Sequence, residues 1–439
     1  MSRPSSRVFA SLLLVGMGGV LAACGDADKA PKEPAKPVKA AKAADAGPPA
    51  PVVEPLIGEP VPALLLSQAW FYKDAAGKPK PGPARLQIWR EGESGWEATR
   101  LEDADSNVFH KTIFTGDREF VTIGAVGAIV KRWRFADGKW TGTKLWSKSW
   151  GGRFDRVRDL EIGDVDGDGV DEWVMATHDA GVIAVAEVNG DELVVTEYDM
   201  KADTFVHEIE IGDIDGDGKN EFFATPSDRN QANKSQKGEI VMYRWDGSTY
   251  VRSVVDGGDH THAKEILIAD LDGDGTDEFL SVLEAETGAK KEITSPVKIR
   301  LYTPNPDGTF SHEDIATIDD RQTRFLLAED FDGDGRKELV AAAMKTGLYV
   351  IDSEVTGKGK AEKVEWSIKK FDSVSSGFEH ATIAADLDGD GVPEVYVAAD
   401  DQRELKRYTW NAEKKSFDKK LLGRLTEQTI TFFVAAGKL

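Results

Sequence analysis

The chain has 439 residues, a formal net charge of −22, 30% charged residues and a single cysteine. So large a negative charge excludes nucleic acid and anionic membrane surfaces as the main electrostatic partners, and a lone cysteine excludes an intramolecular disulfide. Hydrophobic residues at 40% and aromatics at 9% supply a real core, which excludes a disordered acidic chain.

Arg3 and Arg7 precede an almost wholly apolar run from Val8 to Val20, and Leu21-Ala22-Ala23 leads into Cys24. Basic, apolar, then small residues is the layout of a secretory signal over residues 1–23, and the apolar run is short for a membrane span. The ending L-A-A-C resembles the lipobox of bacterial lipoproteins. That resemblance implies a lipidated Cys24 at the start of the mature protein and a place in a bacterial cell envelope. Gly25, where some bacteria read an aspartate as an inner-membrane retention signal, points to the outer membrane. Residues 24–62, rich in Pro, Ala and Lys, cannot offset their ordering entropy by burial and read as a tether. A flexible chain of this length reaches roughly 35 Å.

Residues 63–439 read as one repetitive β domain. Ala63–Tyr72, Ala84–Arg90 and Trp96–Leu101 are expected to give three strands of a first unit that lacks an innermost one. Lys111–Asp117, Glu119–Thr122 and the hairpin Trp133–Trp140 belong to a second. Then D-x-D-G-D-G-x-x-E recurs five times, as DVDGDGVDE from Asp164, DIDGDGKNE from Asp213, DLDGDGTDE from Asp270, DFDGDGRKE from Asp330 and DLDGDGVPE from Asp386. The copies start about 49 to 60 residues apart, a spacing that marks a propeller or a similar array. An alternating strand such as His207–Gly212 precedes each copy, and an apolar one such as Trp173–Ala176 follows. Asp-Gly turns between aromatic residues, as in Tyr243–Tyr250 and Leu301–Phe310, mark hairpins to a third and fourth strand. Four antiparallel strands per unit make a propeller blade. Thr429–Val434 is left over, and closing the ring with it removes two open edges. The expectation is an all-β, seven-bladed β-propeller.

Four carboxylates in nine residues repel one another unless a cation sits among them. Side chains at positions 1, 3 and 5 converge within a tight loop, and glycines at 4 and 6 permit positive φ. The carbonyl at position 7 and the Glu at position 9 complete an oxygen cage. Hard oxygen donors alone favour calcium over zinc or copper, and magnesium prefers to keep its waters. The expected ligands are Asp164, Asp166, Asp168, Val170 and Glu172; Asp213, Asp215, Asp217, Lys219 and Glu221; Asp270, Asp272, Asp274, Thr276 and Glu278; Asp330, Asp332, Asp334, Arg336 and Glu338; and Asp386, Asp388, Asp390, Val392 and Glu394. An EF-hand fails at its end, because Met175 stands at position 12 and a strand follows.

The pattern resembles FG-GAP/VCBS repeats, the calcium-loop blades of integrin-α-like propellers. The likeness spans roughly residues 63–439 and is specific in five units. It implies one structural calcium ion in each of the five loops, held by Asp213, Asp215, Asp217 and Glu221 and by their counterparts.

Two weaker features stand outside the loops. Six residues before each first aspartate, or before its counterpart Asp117, stand Lys111, Arg158, His207, Lys264, Arg324 and His380. They are expected to form a ring opposite the calcium loops. Such a ring either receives an anionic ligand or, the reading preferred, pairs with neighbouring acids such as Asp159, Glu208 or Glu265. His260 and His262 share a face if extended and raise a transition-metal site with His207 or His380. No G-x-S-x-G, H-E-x-x-H or P-loop occurs. The reading that results is a monomeric, calcium-stabilised, lipid-anchored interaction module for a protein or glycan ligand, with no nucleic-acid partner. The alternatives are a carbohydrate-active lyase or hydrolase on a propeller scaffold and an envelope-assembly scaffold.

Overall fold

The computed structural model describes residues 59–152, 155–228, 236–258, 262–357, 363–425 and 429–439. The signal, Cys24, the tether up to residue 58 and His260 lie outside the described residues. The expected seven blades are present, each a four-stranded antiparallel sheet. Blade 2 spans Phe109–Gly116, Glu119–Gly124, Ala128–Ala136 and Lys139–Lys148. Blade 3 runs from Val157–Gly163 to Glu192–Asp199, blade 4 from Thr204–Gly212 to Tyr250–Gly258 and blade 5 from Ala263–Ala269 to Phe310–Ile318. Blade 6 runs from Thr323–Glu329 to Lys363–Asp372, and blade 7 from Thr382–Ala385 to Ser416–Arg424.

Blade 1 takes three strands from the start of the domain, Pro62–Lys73, Ala84–Gly92 and Gly95–Asp103, and its innermost strand from the end, Thr429–Lys438. The closing strand pairs antiparallel from Pro62↔Lys438 to Trp70↔Thr429, so it is four residues longer than its apolar run suggests. Chain closure of this kind converts two sheet edges into a ladder.

The core lies between blades, because each sheet buries its faces against its neighbours. One apolar cluster joins blades 3 and 4 through Val174, Ile183, Phe222 and Tyr243. Another joins blades 5 and 6 through Leu280, Val282, Leu339 and Ala341. The residue at position 2 of each acidic motif enters an inter-blade cluster, these two for Val165 and Leu271 and others for Ile214, Phe331 and Leu387. Val165, Ile214, Leu271, Phe331 and Leu387 are all buried, so each loop is pinned to the seam beside its own blade.

Blade 2 confirms the missing loop. Its first two strands meet through Asp117 and Arg118, with Gly116 opposite Glu119 and Arg118 at φ 56°. Two residues close that turn, where the acidic motif elsewhere needs eight between strands.

Candidate metal loops and the channel

Each acidic motif joins an innermost strand to the second strand, at one end of the ring. Gly216 and Gly218 adopt φ of 70° and 83°, a region costly for any side chain, and this lets the chain fold back on itself. The first aspartate organises the turn. In blade 6 the N–H of Gly333 donates to Oδ1 of Asp330 at 2.7 Å and that of Gly335 to Oδ2 at 3.0 Å. The fifth residue fixes the exit, since Asp334 Oδ1 accepts the N–H of Arg336 at 2.9 Å. Blades 3, 5 and 7 repeat both contacts.

Ligand atoms from positions 1, 3 and 9 then lie within 4.8 Å of one another: Asp164, Asp166 and Glu172; Asp213, Asp215 and Glu221; Asp270, Asp272 and Glu278; Asp330, Asp332 and Glu338; Asp386, Asp388 and Glu394. Asp168, Asp217, Asp274, Asp334 and Asp390 stand outside these triads in the conformation described, each with Oδ1 engaged by the position-7 N–H.

The position-9 glutamates carry the electrostatic strain of the site. Burial, together with the neighbouring aspartates, pushes Glu278 and Glu338 up to about 7. Glu221 also rises to about 7 through burial, although Arg244 opposes the shift. Oε2 of Glu221 is buried with no hydrogen-bond partner among the described residues. A half-buried cluster of hard oxygens that raises its own carboxylate is a donor set suited to a divalent cation, which favours the ionised form.

The loops also touch one another, which the sequence did not announce. Residues at position 8 reach back to the preceding blade. Asn220 Nδ2 donates to the carbonyl of Asp164 at 2.8 Å, and the N–H of Lys337 donates to that of Leu271 at 2.9 Å. Asp277 Oδ2 accepts the N–H of Asp213 at 3.2 Å, linking blades 5 and 4. An arc of loops thus runs from blade 3 to blade 6. The available signals were small: a polar residue at position 8 in those blades, and Pro393, which has no N–H, in the last.

The six basic positions differ in their partners once folded. Lys111, Arg158 and Arg324 line a small central cavity with Asp159, Glu208 and Glu379. Lys111 Nζ pairs with Asp159 at 2.8 Å and with Glu161, and Arg324 pairs with Glu379. Lys264 meets Glu284 at 3.2 Å; burial, with Arg324 nearby, brings its ammonium down to about 8. His380 is held at both ring nitrogens, by the carbonyl of Ala343 at 2.7 Å and by Ser375 Oγ at 2.8 Å. His207 Nε2 is buried without a hydrogen-bond partner among the described residues, and Arg158 makes no ion pair among them.

Pairing with acids therefore holds for three of the six, with a correction to the partners. Asp159 serves as expected, but Glu208 and Glu265 form no ion pair with the ring among the described residues. Glu265 follows Lys264 along one strand, so its side chain projects to the opposite face. Its Oε1 instead accepts the N–H of Leu326 in blade 6 at 3.1 Å. Asp159 Oδ2 does the same for Ile209 in blade 4 at 2.8 Å. Both N–H groups sit where a register shift interrupts the ladder to the second strand. A bulge frees a donor and a channel carboxylate from the preceding blade takes it. In the last seam Asp400 accepts the N–H of Thr431 at 2.7 Å and its hydroxyl at 2.9 Å, fastening the closing strand.

The transition-metal reading of the histidines gains no support. His207 and His262 stand ring to ring at 5.7 Å, and His380 is bound to Ser375. Among the described residues, the five acidic loops are the groups that bring three His, Cys, Asp or Glu ligand atoms within 4.8 Å.

A family model described as an FG-GAP-like repeat matches residues 213–281 and 330–397, which contain the acidic loops of blades 4, 5, 6 and 7. No curated protein matches the sequence. Among solved structures, a protein from Lactobacillus plantarum superposes with a TM-score of 0.55 at 12% identity, covering 85% of this chain and 99% of that one. A periplasmic gluconolactonase from Pseudomonas aeruginosa gives a TM-score of 0.49 at 12% identity, covering 86% and 99%. At such identities the likeness is one of fold, and the lactonase match carries no argument about activity.

Proposed function

We propose that this seven-bladed β-propeller, whose residues 213–281 and 330–397 match an FG-GAP-like repeat, is a calcium-stabilised interaction module tethered by lipid at Cys24 in a bacterial envelope, in the outer membrane. Its ligand is a protein or a glycan. The observation that carries this reading is the set of five carboxylate triads at one end of a closed ring. Cations there would stiffen the surface loops, while the channel is occupied by the ring's own ion pairs, Lys111 with Asp159 and Arg324 with Glu379. A rigid rim around a filled channel suits recognition of a large partner more than enclosure of a small substrate.

In each loop the residues that would hold the ion are the triad together with the position-5 aspartate. The ion would supply structural charge neutralisation, with no chemical step of its own. The test is an array of glycans and envelope proteins probed with the purified chain in calcium and in EGTA. The expected result is a ligand bound in calcium and released by EGTA. Turnover of a glycan by the same preparation would replace this reading with the enzymatic one.

A further inference from the structure

The five triads are alike in sequence and unlike in their neighbours. In blade 4 the Arg244 guanidinium lies on the triad itself, with Nη2 2.6 Å from Asp215 Oδ2 and Nε 2.8 Å from Glu221 Oε1. In blade 7 the Nη1 of Arg407 lies 3.2 Å from Asp388 Oδ2 and 2.9 Å from Glu394 Oε1. Each arginine comes from the third strand of its blade, Gly238–Trp245 or Glu404–Asn411, and touches two of the three triad residues. No Lys or Arg forms an ion pair with the triads of blades 3 and 6 among the described residues. In blade 5 the nearest cation, Arg336, stands 3.9 Å from Asp272.

We infer that Arg244 and Arg407 act as resident cations of the blade 4 and blade 7 loops and so divide the five sites into two classes. The inference rests on the calcium reading above. A guanidinium bridging positions 3 and 9 neutralises part of the charge that would attract a divalent ion, and it occupies oxygen atoms the ion requires. Calcium can enter only when the arginine leaves, giving up two charge-assisted hydrogen bonds. Affinity in oxygen cages follows the ligand charge count, so these two loops are the weaker sites. They are also the loops that keep their shape without metal. Blades 3, 5 and 6 fill first.

The strand register supplies a second test. Phe222 pairs with Tyr243 in blade 4 and Phe279 with Tyr302 in blade 5. One step along both ladders, Arg244 stands beside Glu221 and the exposed Thr303 beside Glu278. Thr303→Arg should therefore transplant the clamp into blade 5 without disturbing the core.

The experiment is calorimetric titration of the chelator-stripped full chain with calcium chloride, for the parent, for Arg244→Met with Arg407→Met, and for Thr303→Arg. The parent should bind three ions tightly and two at least about tenfold more weakly. The double variant should bind five in one class, and Thr303→Arg should leave two tight and three weak. Five equal sites in the parent, or a parent pattern retained by both variants, overturns the inference and leaves the calcium reading standing. No calcium binding by the parent overturns both.

Discussion

The backbone N–H of Leu271 donates to Oε2 of Glu278 at 2.7 Å, so the residue that anchors the loop in the core is tied to the carboxylate that would take the ion. Val165 with Glu172 and Phe331 with Glu338 repeat the arrangement at 3.1 Å and 2.9 Å. Each of these anchors is buried in an inter-blade seam. Occupancy of a loop by a cation would thereby be coupled to the packing between blades, which a surface site on a flexible loop would not achieve.

Calcium should therefore act as a folding ligand. At free calcium about 100-fold above Kd each filled site contributes about 2.7 kcal/mol by mass action. Scanning calorimetry should show the melting temperature falling in EGTA and returning with calcium. Glu278→Gln should lose part of that gain. An identical melting temperature in EGTA and calcium would rule out the coupling.

Arg324 and Arg158 share the cavity and should behave differently. Arg324→Met leaves the buried Glu379 without its partner, a change that costs about 3 to 5 kcal/mol. Arg158 has no ion pair among the described residues to lose, and Arg158→Met should change stability by less than about 1 kcal/mol. Urea unfolding of the two variants separates them. Equal losses in both would mean that Arg158 holds a buried acid as tightly as Arg324 does.

His380 gives a pH dependence of defined sign. Burial is the main cause that holds its imidazole down to about 4, below the unfolded value near 6.5. Between those values the unfolded chain binds the extra proton, so the contribution of His380 is intact above pH 6.5 and declines as pH falls toward 4. The advantage of the parent over His380→Asn should narrow by about 3 kcal/mol across that window. Asparagine suits the comparison because residue 380 has φ 58°, which it tolerates. A constant difference from pH 7 to pH 4 would show that the ring titrates normally.

The lipid anchor is tested by Cys24→Ala. The variant should lose acylation and partition to the soluble fraction with an unchanged melting temperature. Retention in membranes after that change would count against lipidation.

The sequence by itself determined the blade count and the loops, because both rest on local patterns. Alternation of apolar residues gives strands whatever surrounds them, and D-x-D-G-D-G-x-x-E folds back through its own glycines and its own first aspartate. Even ring closure was legible, since an unpaired first blade and a spare final strand satisfy each other. The apolar residue at position 2 was equally visible in all five copies, and its burial shows that the motif carries its own anchor.

What only the tertiary structure decided was which charges meet. Glu208 and Glu265 each directly follow a basic residue along the chain, while Glu284 has none beside it. Lys264 selects Glu284, which lies across the sheet, while Glu265 turns the other way and captures Leu326 from the next blade. Arg244 and Arg407 come from third strands, more than ten residues beyond the loops they clamp, and no periodicity marks them. Sequence spacing fixes which face of a strand a residue occupies, but ion pairs form across strands and blades. Their partners are set by register shifts and blade packing that no short stretch of chain encodes.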